Sequence, residues 1–297
     1  MRSLPVALTL PRQVRCLKRI LIVNADDYGR TAGVSEGIRL AHREGIVTVT
    51  TVMVNMPGAL EEIRRAREET PRLALGVHLN LTSGQPCSAA EAVPSLVDSK
   101  GWFLSRDSYV ADPAVVDPSE VEAEWRAQIR LFLRTGAVLD HLDSHHHIAA
   151  LIPALWDLCL SLAGEVGCGV RPALPSELMT DALTEGYPPA IRTFVQGEAS
   201  RRLAQSGVPH PDAFLAGWFA QDATLPNLLN MLQGLPEGVT ELMTHPGYAD
   251  RPLIETSMYS RERERELAAL TEPAARRAVA QAGIRLATFR ALWPGRT

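Results

Sequence analysis

Short apolar runs rich in β-branched residues recur along this chain, and a stretch of helical length and periodicity separates each from the next. The runs fall at 20–23, 47–54, 73–81, 138–142, 169–171, 214–218, 239–243 and 284–289. Runs with little polar alternation suit strands covered on both faces, as in parallel sheets. Between them, helices are predicted over 34–44, 59–69, 119–134, 153–166, 225–232 and 260–282, the first stopped by Gly45 as a C-cap. Alternation of this kind implies a mostly parallel α/β sheet with helical crossovers. Seven or eight strands point to a closed or nearly closed (β/α) barrel. An open doubly wound sheet is the competing architecture, weakened because no G-x-G-x-x-G follows the first strand. Residues 82–117, rich in Pro, Gly, Ser and Asp, read as a long insertion of the lid or binding-loop kind, and 172–212 resist assignment.

The chain has 297 residues, enough for a large buried core, and its 46% hydrophobic and 22% charged content excludes disordered, collagen-like and coiled-coil chains. A net charge of −4 gives no general attraction to nucleic acid or anionic lipid. Nothing approaches the roughly 18 consecutive apolar residues of a membrane span. Cys16, Cys87, Cys159 and Cys168 form no C-x-x-C pair, so reduced thiols and a cytoplasmic location are expected. The apolar run at 4–10 is interrupted by Pro5 and is too short for a secretory leader. Residues 1–18 are therefore expected to be a disordered or mis-started tail before a single domain spanning 19–297.

The chemistry collects at strand ends. Asp26 and Asp27 follow the first strand, and His78 lies near the end of the third. Asp143 and the run His145-His146-His147 follow the fourth, Arg171 ends the fifth, and His245 follows the seventh. In a β/α barrel these positions share the C-terminal rim, where active sites form. Each has an ordinary reading alone. A strand histidine is often a hydrogen-bonded core residue, an Asp pair is a helix cap and a turn, His245 in T-H-P-G-Y is a turn residue, and Arg171 makes a plain ion pair. Packing does not explain their convergence.

Imidazole and carboxylate together ligate divalent ions such as zinc, iron or manganese. Three consecutive histidines cannot all face one ion, so one is expected to bind it while the others support it or touch substrate. Adjacent Asp26 and Asp27 would repel without a positive partner, and because neighbouring side chains diverge, one can bind metal while the other holds a water. Arg171 is placed to orient Asp26. Gly33-Val34-Ser35-Glu36-Gly37 matches G-x-S-x-G, but Ser35 falls inside a predicted helix and not on the turn after a strand, which argues against a serine hydrolase.

Five motifs carry a resemblance: N-A-D-D-Y-G (24–29), G-V-H-L-N-L-T (76–82), H-L-D-S-H-H-H (141–147), T-H-P-G-Y (244–248) and L-A-T-F-R (286–290). Together and in this order they resemble the YdjC family of ChbG/HpnK-type carbohydrate deacetylases. The resemblance implies a barrel-like hydrolase that removes acetyl groups from N-acetylated sugars with one divalent ion. Carried over by motif, Asp27, His78 and His145 would be the metal ligands, Asp26 the general base and His245 the acid. Arg171, Asp143 and His147 would touch substrate or support the ligands. Magnesium is the ion the resemblance implies, while two imidazoles and a carboxylate also suit zinc. A homodimer is implied in the same way, and the motif wording leans toward chitooligosaccharide substrates over lipid-linked, hopanoid-type amino sugars. The chain departs from the family pattern at Ala149, where a fourth histidine is usual, and at Tyr28, where Phe is usual. Ala149 leaves open a non-catalytic sugar- or metal-binding homologue, and a metal hydrolase that cuts another amide is a separate alternative.

Overall fold

A computed structural model describes residues 19–175 and 186–293. The residues read as an N-terminal tail and part of the unassigned stretch lie outside these segments. The strands are β1 (Arg19–Tyr28), β2 (Val49–Val52), β3 (Ala74–Leu79), β4 (Leu139–Ser144), β5 (Gly169–Val170), β6 (Ala213–Leu215), β7 (Gly238–Thr244) and β8 (Arg285–Leu286). Their order is β5-β4-β3-β2-β1-β7-β6, every pairing is parallel, and β8 lies beside Ile20 and Leu21 of β1. The sheet curls into a barrel-like shape. The Val170 N–H donates to the carbonyl of Pro209 at 3.0 Å, tying one end of the sheet to the segment that leads into β6. The expected barrel-like fold is therefore the observed one.

Helices cover the outside of the sheet because their apolar faces match it. The helix Ala32–Glu44 is capped by Thr31, whose hydroxyl accepts the Val34 N–H at 3.2 Å, and it buries Val34, Ile38 and Ala41. Gly45 does end this helix, though in a right-side φ of −114° and not the left-handed cap geometry. A Cβ there would meet the Leu270 carbonyl oxygen at 2.4 Å, so close backbone approach requires the glycine. Tyr28 is fully buried, and its hydroxyl donates to the Glu62 carbonyl and accepts from Arg39 Nη1, each at 2.8 Å.

Three expectations about elements need correction. The helix expected over 260–282 is two helices, Glu262–Thr271 and Pro273–Gln281. Pro273 cannot donate to the first helix and instead opens the second. The strand expected over 214–218 shortens to β6, and Trp218 leaves the sheet to bury its ring, with Nε1–H donating to the Thr224 carbonyl at 3.0 Å. Strands β1 and β4 run further than the apolar pattern suggests, so Asp26, Asp27 and Asp143 lie within strands and not after them. Segment 82–117 holds the short helix Arg106–Ala111 and several 3-10 turns, with Val93, Leu96 and Tyr109 buried.

Candidate active site

Asp26 and Asp27 diverge because the backbone between them is bent. The register of β1 against β2 slips between Ala25 and Tyr28, and Asp27 takes a φ of 72°, a left-handed value few non-glycine residues adopt. Asp26 thereby meets Arg171 in a two-pronged pair, Nη2 to Oδ1 at 2.6 Å and Nη1 to Oδ2 at 2.7 Å. Asp27 turns the other way. Its Oδ2 accepts from Arg263 Nη2, and its Oδ1 lies 3.4 Å from His78 Nε2 and 3.0 Å from His145 Nδ1. His78 Nε2 and His145 Nδ1 are themselves 3.3 Å apart.

These three atoms fit a single cation. Bonds of about 2.0–2.2 Å at tetrahedral or octahedral angles put neighbouring donors roughly 2.8–3.6 Å apart. The Asp27, His78 and His145 separations fall inside that window. Asp27 Oδ1 is also buried without a hydrogen-bond partner, which is costly unless something positive sits beside it. The surroundings are electron-rich: Asp26, Asp27, Asp143, Glu241 and Glu266 are all buried, with Arg171 and Arg263 as the buried guanidiniums among them. A second grouping, Asp26, His78 and Asp143, also has donor atoms close enough for an ion. It is the weaker choice, because Asp26 and Asp143 already pair with Arg171 and Asp143 already holds His78.

Asp143 supports the donor set from behind. Its Oδ1 lies 2.6 Å from His78 Nδ1, and its Oδ2 accepts from Thr51 Oγ1 at 3.0 Å and pairs with Arg171 Nη1 at 3.0 Å. A carboxylate on the far nitrogen fixes the tautomer, leaving Nε2 for the ion. Burial opposes a charged His78, yet Asp143 and Asp27 outweigh it and raise its pKa to about 10, so a cation at Nε2 takes the place of a proton. Burial likewise opposes charge on Asp27, and Arg263 with His145 overcomes it, holding that carboxyl well below the usual range.

Of the three consecutive histidines, the structure brings only His145 to Asp27 and His78. His146 and His147 take left-handed φ values of 54° and 56°. His146 stacks on His145, and its Nδ1 lies 2.9 Å from Thr82 Oγ1. His147 turns toward Phe214 with ring centroids 6.1 Å apart, and lines a small cavity with Asp143 and Arg171. Ala149 is buried, with its N–H on Ser144 Oγ, and lines the same small cavity. Ser35 is buried too, bonded to Gly29 N–H and the Thr31 carbonyl inside the predicted helix.

His245 completes the site opposite Asp26, its Nε2 3.7 Å from Asp26 Oδ2. Burial lowers its pKa to about 4 despite Asp26, so the imidazole is neutral at pH 7. Arg171 lies where it can orient Asp26, and its Nε also donates to Glu241 Oε1 at 2.8 Å.

Sequence reading missed several neighbours. Arg263 and Glu266 come from the helix Glu262–Thr271, whose E-R-E-R-E pattern looks like an exposed charged face. Ser83, at the start of the long insertion, places Oγ 3.1 Å from His145 Nε2. His141, in the H-L-D-S-H-H-H motif, stacks on Phe289 of the L-A-T-F-R motif with centroids 3.9 Å apart and bonds Asn24, which assigns both motif positions to packing beneath the site. A cavity of about 510 Å³ opens at the N-terminal ends of β3 and β4, lined by Arg67, Arg72, Asp140 and Arg290, and shares none of the catalytic-end groups.

The family model for YdjC-like proteins matches residues 20–281. A carbohydrate deacetylase of Brevibacillus brevis is 36% identical over 270 residues, spanning 91% of this chain and 98% of that protein. One from Oceanobacillus iheyensis is 40% identical over 250 residues, spanning 82% of this chain and 93% of its own length. The crystal structure of a protein from Enterococcus faecalis superposes with a TM-score of 0.80 at 33% identity, covering 93% of this chain and 99% of the other.

Proposed function

The chain belongs to the YdjC-like protein family, and from that premise we propose that it is a divalent-metal-dependent hydrolase that removes the acetyl group from an N-acetylated sugar of the chitooligosaccharide kind. The observation that carries this reading is the set of three donors, Asp27 Oδ1, His78 Nε2 and His145 Nδ1, lying 3.0–3.4 Å from one another beside Asp26. Relatives named carbohydrate deacetylases over nearly their whole length support the substrate class.

Asp27, His78 and His145 would hold the ion, which when bound supplies the positive charge that acidifies a water and polarises the acetamide carbonyl. Asp26 is the base: it removes the proton of the attacking water while Arg171 keeps its two oxygens in place. His245, its Nε2 3.7 Å from Asp26 Oδ2, delivers a proton to the leaving amine nitrogen as the C–N bond breaks. Asp143 keeps the tautomer of His78, and Ser83 caps the free nitrogen of His145. His147, beside Asp143 and Arg171, is a contact on the substrate side. The products are acetate and a free amino sugar. Magnesium follows from the family resemblance, and two imidazoles with one carboxylate would serve zinc equally.

Among the described residues no single helix is long and apolar enough to cross a membrane, and the described cysteines, Cys87, Cys159 and Cys168, are unpaired. We place the enzyme in the cytoplasm as part of this reading, as a homodimer acting on small sugars and not on nucleic acid.

Acetate release from N-acetylglucosamine oligomers tests the reading. Turnover that stops with chelator and returns with added Mg2+ or Zn2+ supports it. Turnover indifferent to chelator would overturn the metal assignment, and no acetate from any acetylated oligosaccharide would overturn the substrate class.

A further inference from the structure

We propose that Glu266 is the positioning residue for His245, its carboxylate holding the imidazole through the main-chain N–H and through Nδ1 so that Nε2 faces the leaving amine. The inference rests on the proposed deacetylase reading for the purpose it assigns, and on geometry for the contact itself.

Glu266 lies mid-helix in Glu262–Thr271, is fully buried, and makes no ion pair with Lys or Arg among the described residues. A buried carboxylate without a cationic partner is costly, so packing alone does not account for it. Its oxygens are directed at one residue and its neighbour. Oε2 accepts the His245 backbone N–H at 2.5 Å, and Oε1 accepts the Tyr259 hydroxyl. Oε1 is also 3.8 Å from His245 Nδ1, an atom that is buried without a hydrogen-bond partner. The proposed hold at Nδ1 requires the ring to turn toward Oε1. Nε2 meanwhile points toward Asp26, so the imidazole stands between two carboxylates with a different nitrogen on each.

The ring is held on its flank as well. Phe219 and Tyr259 stack at 4.4 Å with a 12° interplanar angle, and both meet His245 edge-on, at 5.4 Å and 5.6 Å. The Ala220 N–H donates to the Tyr259 hydroxyl at 3.1 Å, and Ala220 carries a left-handed φ of 53°. A non-glycine residue held in that conformation signals an over-determined turn. Glu266, Tyr259 and Ala220 therefore form one hydrogen-bonded chain that ends on the walls of the His245 ring. Burial pushes Glu266 up to about 7 and His245 down to about 4, so each group carries its charge less readily than it would in water.

The proton path then balances. The water oxygen bonds to the acetamide carbon, and the water proton passes to Asp26 and on to His245 Nε2. The C–N electron pair goes to nitrogen, which takes that proton, leaving the amine and acetic acid, which ionises to acetate in water. Glu266 accepts the Nδ1–H throughout, so only Nε2 gains and loses a proton.

Glu266→Gln preserves size and an acceptor oxygen for the His245 N–H while removing the carboxylate charge. With metal-loaded protein and N-acetylglucosamine oligomers, kcat should fall roughly 100-fold while KM moves less than about threefold. Tyr259→Phe, which frees Oε1 and unties the flank, should lower kcat less, with the same KM pattern. Nitrogen-15 spectra of histidine-labelled wild-type protein should show His245 protonated at Nδ1, and this readout needs no substrate. A folded Glu266→Gln enzyme with unchanged kcat, or a His245 protonated at Nε2 alone, would overturn the assignment. If wild-type protein released no acetate, the deacetylase reading would fail, and the nitrogen spectra would still decide the Glu266 contact.

Discussion

Asp26 and Asp27 share a peptide bond and face different partners, and the left-handed φ at Asp27 is what separates them. The separation makes their substitutions distinguishable. Asp26→Asn should lower kcat by roughly 10²–10⁴ with bound metal unchanged, the range for a general base, and near-normal turnover would remove Asp26 from that role. Asp143 touches His78 and not the cation position, so Asp143→Asn should weaken metal affinity by about 10–100-fold in a calorimetric titration. Unchanged affinity would mean that His78 needs no support. Glu266 carries a pH signature. Burial raises its pKa from the ordinary 4.5 to about 7, so the folded state holds this proton more tightly than the unfolded chain. Its contribution to stability is fully present below about 4.5 and is lost as pH rises through about 7. Urea unfolding across that interval should show stability falling with pH in the wild type and a flatter dependence in Glu266→Gln. At this scale the sequence was most informative about groups with chemistry at strand ends. It was silent about Arg263 and Glu266, because a charged helical repeat reads the same whether it faces water or a site.

Elements position the site through backbone contact as much as through side chains. The helix Ala32–Glu44 crosses the T-H-P-G-Y turn so closely that a Cβ on Gly37 would sit 2.5 Å from the Gly247 Cα. Gly37→Ala must therefore push helix and turn apart. The expected cost is about 1–3 kcal/mol of stability, read by denaturant unfolding, together with reduced kcat because His245 begins at this turn. An alanine variant as stable and active as wild type would contradict the packing. Helix existence was legible from apolar spacing and from the stop at Gly45, and the broken helix at Pro273 was legible in principle from the proline itself. The shortness of β6 was not, because Phe214 to Trp218 is apolar throughout and only tertiary packing sends Trp218 out of the sheet. The lengths of β1 and β4 were hidden for the opposite reason. Their last residues are the polar, chemical ones, which break the apolar pattern while continuing the strand.

Across the whole molecule, a parallel sheet curled on itself gathers strand ends from distant parts of the sequence onto one rim. That is why Asp27, His78 and His145 meet although 118 residues separate the first from the last. The alternation of strands and helices made this architecture readable. The strand order was not readable, because β8 pairs with β1 only at Ile20 and Leu21 while β7 lies along β1 from Arg19 to Ala25. The central claim is that three side chains hold one divalent ion, and anomalous diffraction from crystals soaked in Mn2+ or Zn2+ addresses it directly. The account predicts one strong peak about 2.0–2.2 Å from Asp27 Oδ1, His78 Nε2 and His145 Nδ1. A peak held by Asp26 and Asp143 instead, or none on this rim in metal-saturated active protein, would contradict it.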